Sequence, residues 1–467
     1  MIRNYWKYAL YSPILRIIYL VISGGLTFGF GIASISGVLD LIKIDFNLSE
    51  MSEQAIVGVL VLGCFVGASI AGPVSARWGR RPTILLAAGC GALGYALIPA
   101  GYGLGGLLVG RSFAGLCIGL LSMVVPMYAA ETTPARHRGA VVSLFQLAIT
   151  LGILAAYGAP LAFAGALPWP ILLGLGILPV CLCALITLLL PESPRWLAAK
   201  GDREGERAAV QALGLAGEWQ ASPPSFDRVS TGNPANAGHG MIRRGSVNAV
   251  LFLCSALFVL QNLSGIDGIL YYAPRIFQEL GFPAGTAALA ATFGLGLVNV
   301  LATIAAIALV DRLGRRPLLI LGSAAMAAGL AAVILAAGFD LPWLGLAGLA
   351  IFIAAFALSL GPLPYVLMSE LFPSEVRESG IAMASATSWL FNALIAFTFL
   401  SMVAAFGLSG TIGLFLAICL LSVIFCLAFV PETRGARLED IETAVLAGRP
   451  LRQLGGQIGG PDTSPAR

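Results

Sequence analysis

Twelve runs of apolar residues, each long enough to cross a bilayer, follow one another along this 467-residue chain. A bilayer core of roughly 30 Å takes about 20 residues of helix. The runs lie near residues 17–39, 54–75, 83–101, 104–130, 139–163, 169–190, 247–281, 287–310, 317–338, 344–372, 379–405 and 410–430. Without water to satisfy peptide groups, helix is the form that such runs adopt. Composition points the same way. The chain is 58% hydrophobic and 11% charged, with mean hydropathy +0.90, whereas a soluble domain carries charge on about a quarter of its residues. The expected fold class is an all-α membrane protein of twelve transmembrane helices. The first run is too long for a signal-peptide core and is read as a retained span.

Charge placement orients these spans. Arg77, Arg80, Arg81, Arg136, Arg138, Arg312, Arg315, Arg316 and Arg377 fall in alternate short loops, and the other loops hold little beyond Lys43 and Arg275. Positively charged loops stay inside, so multi-pass insertion in the cell membrane with both termini cytoplasmic is expected. The acidic turn with Asp40, Asp45, Glu50 and Glu53 is then an outer, solvated loop. The eight cysteines all lie in apolar spans without a C-x-x-C pair, as packing residues do. His137 and His239 are the only histidines and both lie in cytoplasmic segments. No phosphate-binding loop or metal spacing is present either. No enzyme, metal, cofactor or nucleic-acid partner is expected.

The chain repeats itself. R-W-G-R-R at Arg77–Arg81 returns in D-R-L-G-R-R at Asp311–Arg316, with Gly79 and Gly314 235 residues apart. Glu131 and Glu370 are 239 apart, each followed seven residues later by an arginine, Arg138 or Arg377. Pro191 in P-E-S-P-R and Pro431 in P-E-T-R-G are 240 apart. Three pairs at nearly one offset indicate two six-helix halves, a parallel duplication of the transporter kind. The expected organisation is a cytoplasmic lead at 1–16, a first half at 17–194 and a polar cytoplasmic linker at 195–246 with short helices. A second half at 247–433 and a cytoplasmic tail at 434–467 complete it.

One stretch is out of place in lipid. Gln261 to Pro274 reads Q-N-L-S-G-I-D-G-I-L-Y-Y-A-P, and each polar group there needs a partner or a water-lined cavity. Gln261 and Asp267 would lie about 120° apart on an ideal helix, so they serve one ligand only if Gly265 or Gly268 distorts it. Amides suit a polyhydroxylated ligand because one side chain both donates and accepts. They also suit helix-to-helix hydrogen bonds of about 1 kcal/mol.

Taken together, G-R-R after spans two and eight, P-M-Y-x-x-E-x-x-P-x-x-x-R-G, P-E-S-P-R, Q-N-L-S-G-I-D-x-x-x-Y-Y, G-P-x-P-Y and P-E-T-R-G carry a family likeness. The chain resembles the sugar porter family of the major facilitator superfamily, which includes glucose facilitators and bacterial xylose and galactose proton symporters. The resemblance runs from about Gly24 to Gly435. It implies two halves rocking around a central sugar site. Sugar contacts would come from Gln146, Gln261, Asn262, Asp267, Asn299, Tyr365, Trp389 and Asn392, and Tyr271 and Tyr272 would form the outer gate. Glu131, Arg138, Glu192, Arg195, Glu370, Arg377 and Glu432 would clamp the halves on the cytoplasmic side when the site faces out. The same charges could instead be ordinary anchoring at the membrane edge.

Departures from the family pattern bear on energy coupling. In proton-coupled members the first span reads G-Y-D, and that Asp works beside an Arg in span four. Here the letters are Gly29, Phe30 and Gly31, whereas the arginine is present as Arg111. Glycine cannot bind a proton, which implies a facilitator. Against this, Asp267 stands where the family usually has Asn, and it could be a relocated coupling acid, a hydrated ligand or a partner of Arg111. Ala76 replaces an Asp of the first basic motif, and Tyr365 replaces the usual Trp. A non-transporting sugar sensor is the other class considered, and the short tail beyond the last motif argues against it.

Overall fold

The computed structural model describes residues 12–163, 165–216, 244–373, 376–436 and 438–454, and its regular elements are all helical. Span one is Pro13–Ala33, span two Glu50–Trp78, span three Arg80–Leu97, span four Gly103–Thr132 and span five Ala135–Ala162. Span six is a broken pair, Trp169–Gly174 and Ile177–Leu188. Span seven is broken as well, into Arg244–Leu263 and Ile266–Glu279. Spans eight and nine are Thr286–Leu313 and Arg315–Phe339, and span ten is Pro342–Leu358 followed by Leu363–Leu371. Spans eleven and twelve run on as Arg377–Phe429, turned at Gly407, where φ is 70° and ψ 171°.

Ten helical stretches of the described chain are long and apolar enough to cross a membrane, against twelve runs in the sequence. The difference has two sources. Gly380–Phe429 contains two runs in one 50-residue stretch, and Arg80–Leu97 has only 18 residues, of which two are arginines. Short helices Pro194–Ala199 and Arg203–Ala212 follow span six, capped by the side chains of Ser193 and Asp202. Leu438–Leu446 follows span twelve. The expected lead, linker and tail fall partly on residues 1–11, 217–243 and 455–467, which lie outside the described residues, as does His239.

Spans two and four pack backbone to backbone. A Cβ added at Gly115 would lie 2.0 Å from the Leu60 carbonyl oxygen, and one at Gly119 would lie 2.2 Å from that of Cys64. In lipid, where apolar burial does not drive association, such close approach is what holds helices together.

At the end that carries the arginine motifs, each half contains the same cage. Gly79 has φ 103° and Gly314 φ 90°, which turns the two N–H groups that open the following helix toward one carboxylate. Glu192 accepts from the N–H groups of Arg80 and Arg81, and Glu432 accepts from those of Arg315 and Arg316. A side chain at either glycine would collide with that glutamate, at 2.3 Å from Glu192 Oε2 and 2.6 Å from Glu432 Oε2. The carboxylates thus sit at the positive ends of spans three and nine. Burial pushes the Glu192 carboxyl up from its usual range, against the pull of the N–H groups of Ser193, Arg81 and Arg80. Beside each cage, Arg80 pairs with Glu131 at 2.8 Å and Arg315 with Glu370 at 3.0 Å. The Ser193 and Thr433 hydroxyls donate to the same glutamates.

The helix seam yields a direct test. Gly119→Ala forces spans two and four apart and should destabilise the folded protein by about 1–3 kcal/mol. Gly72→Ala, with nothing within 4 Å of its added Cβ, should not. Thermal unfolding in detergent would show a lower midpoint for the first variant only.

Candidate functional site

The polar stretch of span seven is where that helix breaks. The first segment stops at Leu263 and the next begins at Ile266, across Gly265 at φ 88° and ψ 6°. Only a glycine fits there, since a Cβ would lie 2.1 Å from the Phe415 ring. Span ten is broken opposite, between Leu358 and Leu363. Gln261 donates from Nε2 to the Gly361 carbonyl within that second break, at 3.3 Å. Its Oε1 is buried with no hydrogen-bond partner among the described residues.

Around this joint the structure gathers most of the residues singled out in the sequence. Asn262 donates to the Phe258 carbonyl at 2.6 Å and to Ser388 Oγ at 3.1 Å. Asp267, half-buried, interacts with the Asn392 amide. Asn392 Oδ1 accepts from the Tyr271 hydroxyl at 2.9 Å. Tyr365 lies near Ser388 and packs edge-on against Phe258 at 4.8 Å between ring centres. It is 44% exposed although enclosed by these spans, so it lines an internal space. Trp389 is buried against Phe28 of span one, with ring centres 5.6 Å apart. Gln146 is half-buried on span five and Asn299 buried on span eight, and neither side chain is tied by a described hydrogen bond to the span-seven group.

Tyr271 and Tyr272 are 1% exposed and lie further along span seven, toward the end away from the arginine motifs. Tyr272 stacks on Phe399 at 5.0 Å and donates to the Ala396 carbonyl. Beyond them, Phe397 of span eleven fills the place of a side chain at Gly58 of span two, 2.5 Å from an added Cβ. Ser401 and Gln54 are hydrogen-bonded between the same two spans. The acidic turn expected to be solvated is only partly so. Glu53 is 1% exposed, because the first turn of span two faces Arg275 of span seven rather than water.

The charged residues of the opposite end are arranged within halves. Glu131, Glu192, Glu370 and Glu432 belong to the two cages, and Glu131 meets Arg80 there. Arg138 instead lies near Arg195, with its Nε buried and without a hydrogen-bond partner among the described residues. Arg377 opens span eleven, and its side chain lies outside the described residues.

Position 31 is sterically occupied. A Cβ there would lie 2.6 Å from the Tyr95 hydroxyl and 2.5 Å from Ile118 Cδ1. Arg111 is 2% exposed and donates from Nε to the Ile56 carbonyl at 2.6 Å. Among the described residues no carboxylate forms an ion pair with it, and the hydroxyl-bearing rings of Tyr95, Tyr271 and Tyr272 surround it electrostatically. Sequence reasoning did not single out Tyr95, Phe28 or Ser388. Each lies in a run of ordinary composition, and only the packing of distant spans brings it to the site.

The chain is 34% identical over 445 residues to the galactose-proton symporter of Escherichia coli (strain K12), covering 94% of this chain and 95% of that protein. It is 33% identical over 435 residues to the D-xylose transporter of Levilactobacillus brevis, covering 91% and 94% respectively. Among solved structures it is similar to a partially occluded inward open conformation of the xylose transporter XylE from E. coli. That match has TM-score 0.75 and 28% identity, over 91% of this chain and 99% of the other. The fold is that of the major facilitator superfamily, twelve transmembrane helices in two six-helix halves. With the family model matching residues 17–445, the chain belongs to the sugar (and other) transporter family.

Proposed function

We propose that this protein moves a monosaccharide, a hexose or a pentose, across the cell membrane by alternating access, and that it does so as a facilitator. The arginine-motif end faces the cytoplasm in this reading, together with both termini. The domain limits are those expected from the sequence, with the two halves joined by the linker at 195–246. Gln261, Asn262, Asp267 and Asn392, with Gln146 and Asn299, bind sugar hydroxyls, and the free Gln261 Oε1 accepts from one of them. Trp389 and Tyr365 supply flat apolar surface for the C–H face of the ring. Tyr271 and Tyr272 close the outer side. Glu131, Arg138, Glu192, Arg195, Glu370, Arg377 and Glu432 exchange partners between the halves as the cytoplasmic side closes.

The observation that carries the facilitator reading is the filled space at Gly31. The Tyr95 hydroxyl and Ile118 stand where a side chain at that position would go, and Arg111 turns to a backbone carbonyl. A second reading is sugar–proton symport through Asp267. It is favoured by one feature, a half-buried carboxylate that meets the Asn392 amide and forms no ion pair among the described residues. The named proton symporters among the relatives lend it further support.

Purified protein in proteoliposomes should equilibrate labelled sugar without concentrating it, and an inward proton gradient should not change the final level. Accumulation that follows the gradient and disappears in Asp267→Asn would instead establish symport. Gln261→Leu, which removes both the bond to span ten and the free acceptor, should raise the half-saturation concentration about tenfold, the equivalent of ~1.4 kcal/mol. A competition screen of hexoses and pentoses identifies the substrate.

A further inference from the structure

The outer end of the protein holds a charge cluster that the sugar site does not use. Glu53, in the first turn of span two, is 1% exposed and meets two cations. Lys43, from the short helix Leu39–Phe46 between spans one and two, reaches Glu53 Oε1 at 2.5 Å. Arg275, from span seven in the other half, reaches Glu53 Oε2 at 3.2 Å. Arg275 also lies 3.9 Å from Glu50 and 3.9 Å from Glu279 of its own helix. A hydrogen bond runs beside these, from Gln278 Nε2 of span seven to the Asp40 carboxylate at 3.0 Å. Tyr272 lies directly within the field of Glu53 and Arg275.

We infer that Glu53, Lys43 and Arg275 form an electrostatic lock over the tyrosine pair, holding the outer side closed and setting how often the protein opens outward. Solvated ion pairs at a protein surface are worth little, but Glu53 is not solvated. Its burial would be costly if either cation withdrew, and Arg275 must withdraw when the halves part at this end. The arrangement therefore links outward opening to rehydration of one carboxylate and its arginine. Lys43 moves with the same half as Glu53, so it compensates the charge in both states without resisting the motion. Arg275 is thus the latch, Glu53 the catch and Lys43 the support that makes the buried catch tolerable. Phe397 against Gly58 and Gln54 against Ser401 close the apolar and neutral contacts below it.

The inference rests on the alternating-access reading, and its test does not require sugar flux. Spin labels at Tyr102→Cys, just before span four, and Phe339→Cys, at the end of span nine, both strongly exposed at the outer end, report the separation of the halves. Cys90 and Cys181, the cysteines that are not buried, are replaced by serine in this background. Pulsed electron–electron distances in the otherwise unaltered protein should be dominated by a short population. Glu53→Gln and Arg275→Gln should each raise the longer population about tenfold relative to the short one, and Arg275→Lys should keep it near the starting level. Should Glu53→Gln fail to fold, Arg275→Gln carries the test, with Lys43→Gln, altered at a 39% exposed side chain, as the control that should leave the distances near the starting level because Lys43 moves with Glu53. Distances unchanged in folded Arg275→Gln would overturn the lock. A failure of the transport reading shows separately, as absent flux in proteoliposomes with normal distance shifts.

Discussion

A peptide group that leaves a helix inside a membrane must be satisfied by protein, because the surrounding lipid offers nothing. Spans seven and ten both break near their middles, and a side chain of the first meets a carbonyl freed in the second. Gln261, at the end of the first segment of span seven, donates to the carbonyl of Gly361 in the gap of span ten. The Phe415 ring packs where Gly265 lacks a side chain. Once the helices are broken in this way, polar side chains that would point in different directions on a straight helix can share one space. The gathering of Asn262, Asp267, Tyr365 and Asn392 around the joint depends on that first accommodation of the backbone.

The two cages at the other end do a different job. Each ties the start of one span, the end of another and the turn after a third into one unit, through Glu192 in the first half and Glu432 in the second. Charge-assisted bonds to backbone N–H groups are strong and directional. They bind the motif ends of each half to one another through a half-buried carboxylate.

Much of this was legible in the sequence, for identifiable reasons. Apolar length marks a span whatever surrounds it, and the recurrence of Gly79 at Gly314 and of Pro191 at Pro431 exposes the duplication directly. The break in span seven was suggested by Gly265 among polar residues. Partner choice was not legible. The spacing of Glu131 and Arg138 suggests a pair, but the turn at Gly79 delivers Arg80 to Glu131 instead. Glu53 looked like one of four acids in a loop, and only the approach of span seven removes it from water. Tyr95 and Ser388 carry no local signature at all, because their importance lies in what distant helices leave beside them.

The contact between Gly31 and the Tyr95 hydroxyl has a consequence for how such a chain can change. Because that hydroxyl and Ile118 together fill the volume beside position 31, a single replacement there meets a collision before it can contribute any chemistry. Positions 31, 95 and 118 therefore form a linked set in which the order of substitutions matters. A smaller residue at 95 or 118, or a turn of those side-chain ends away from position 31, is what makes room there for a new side chain.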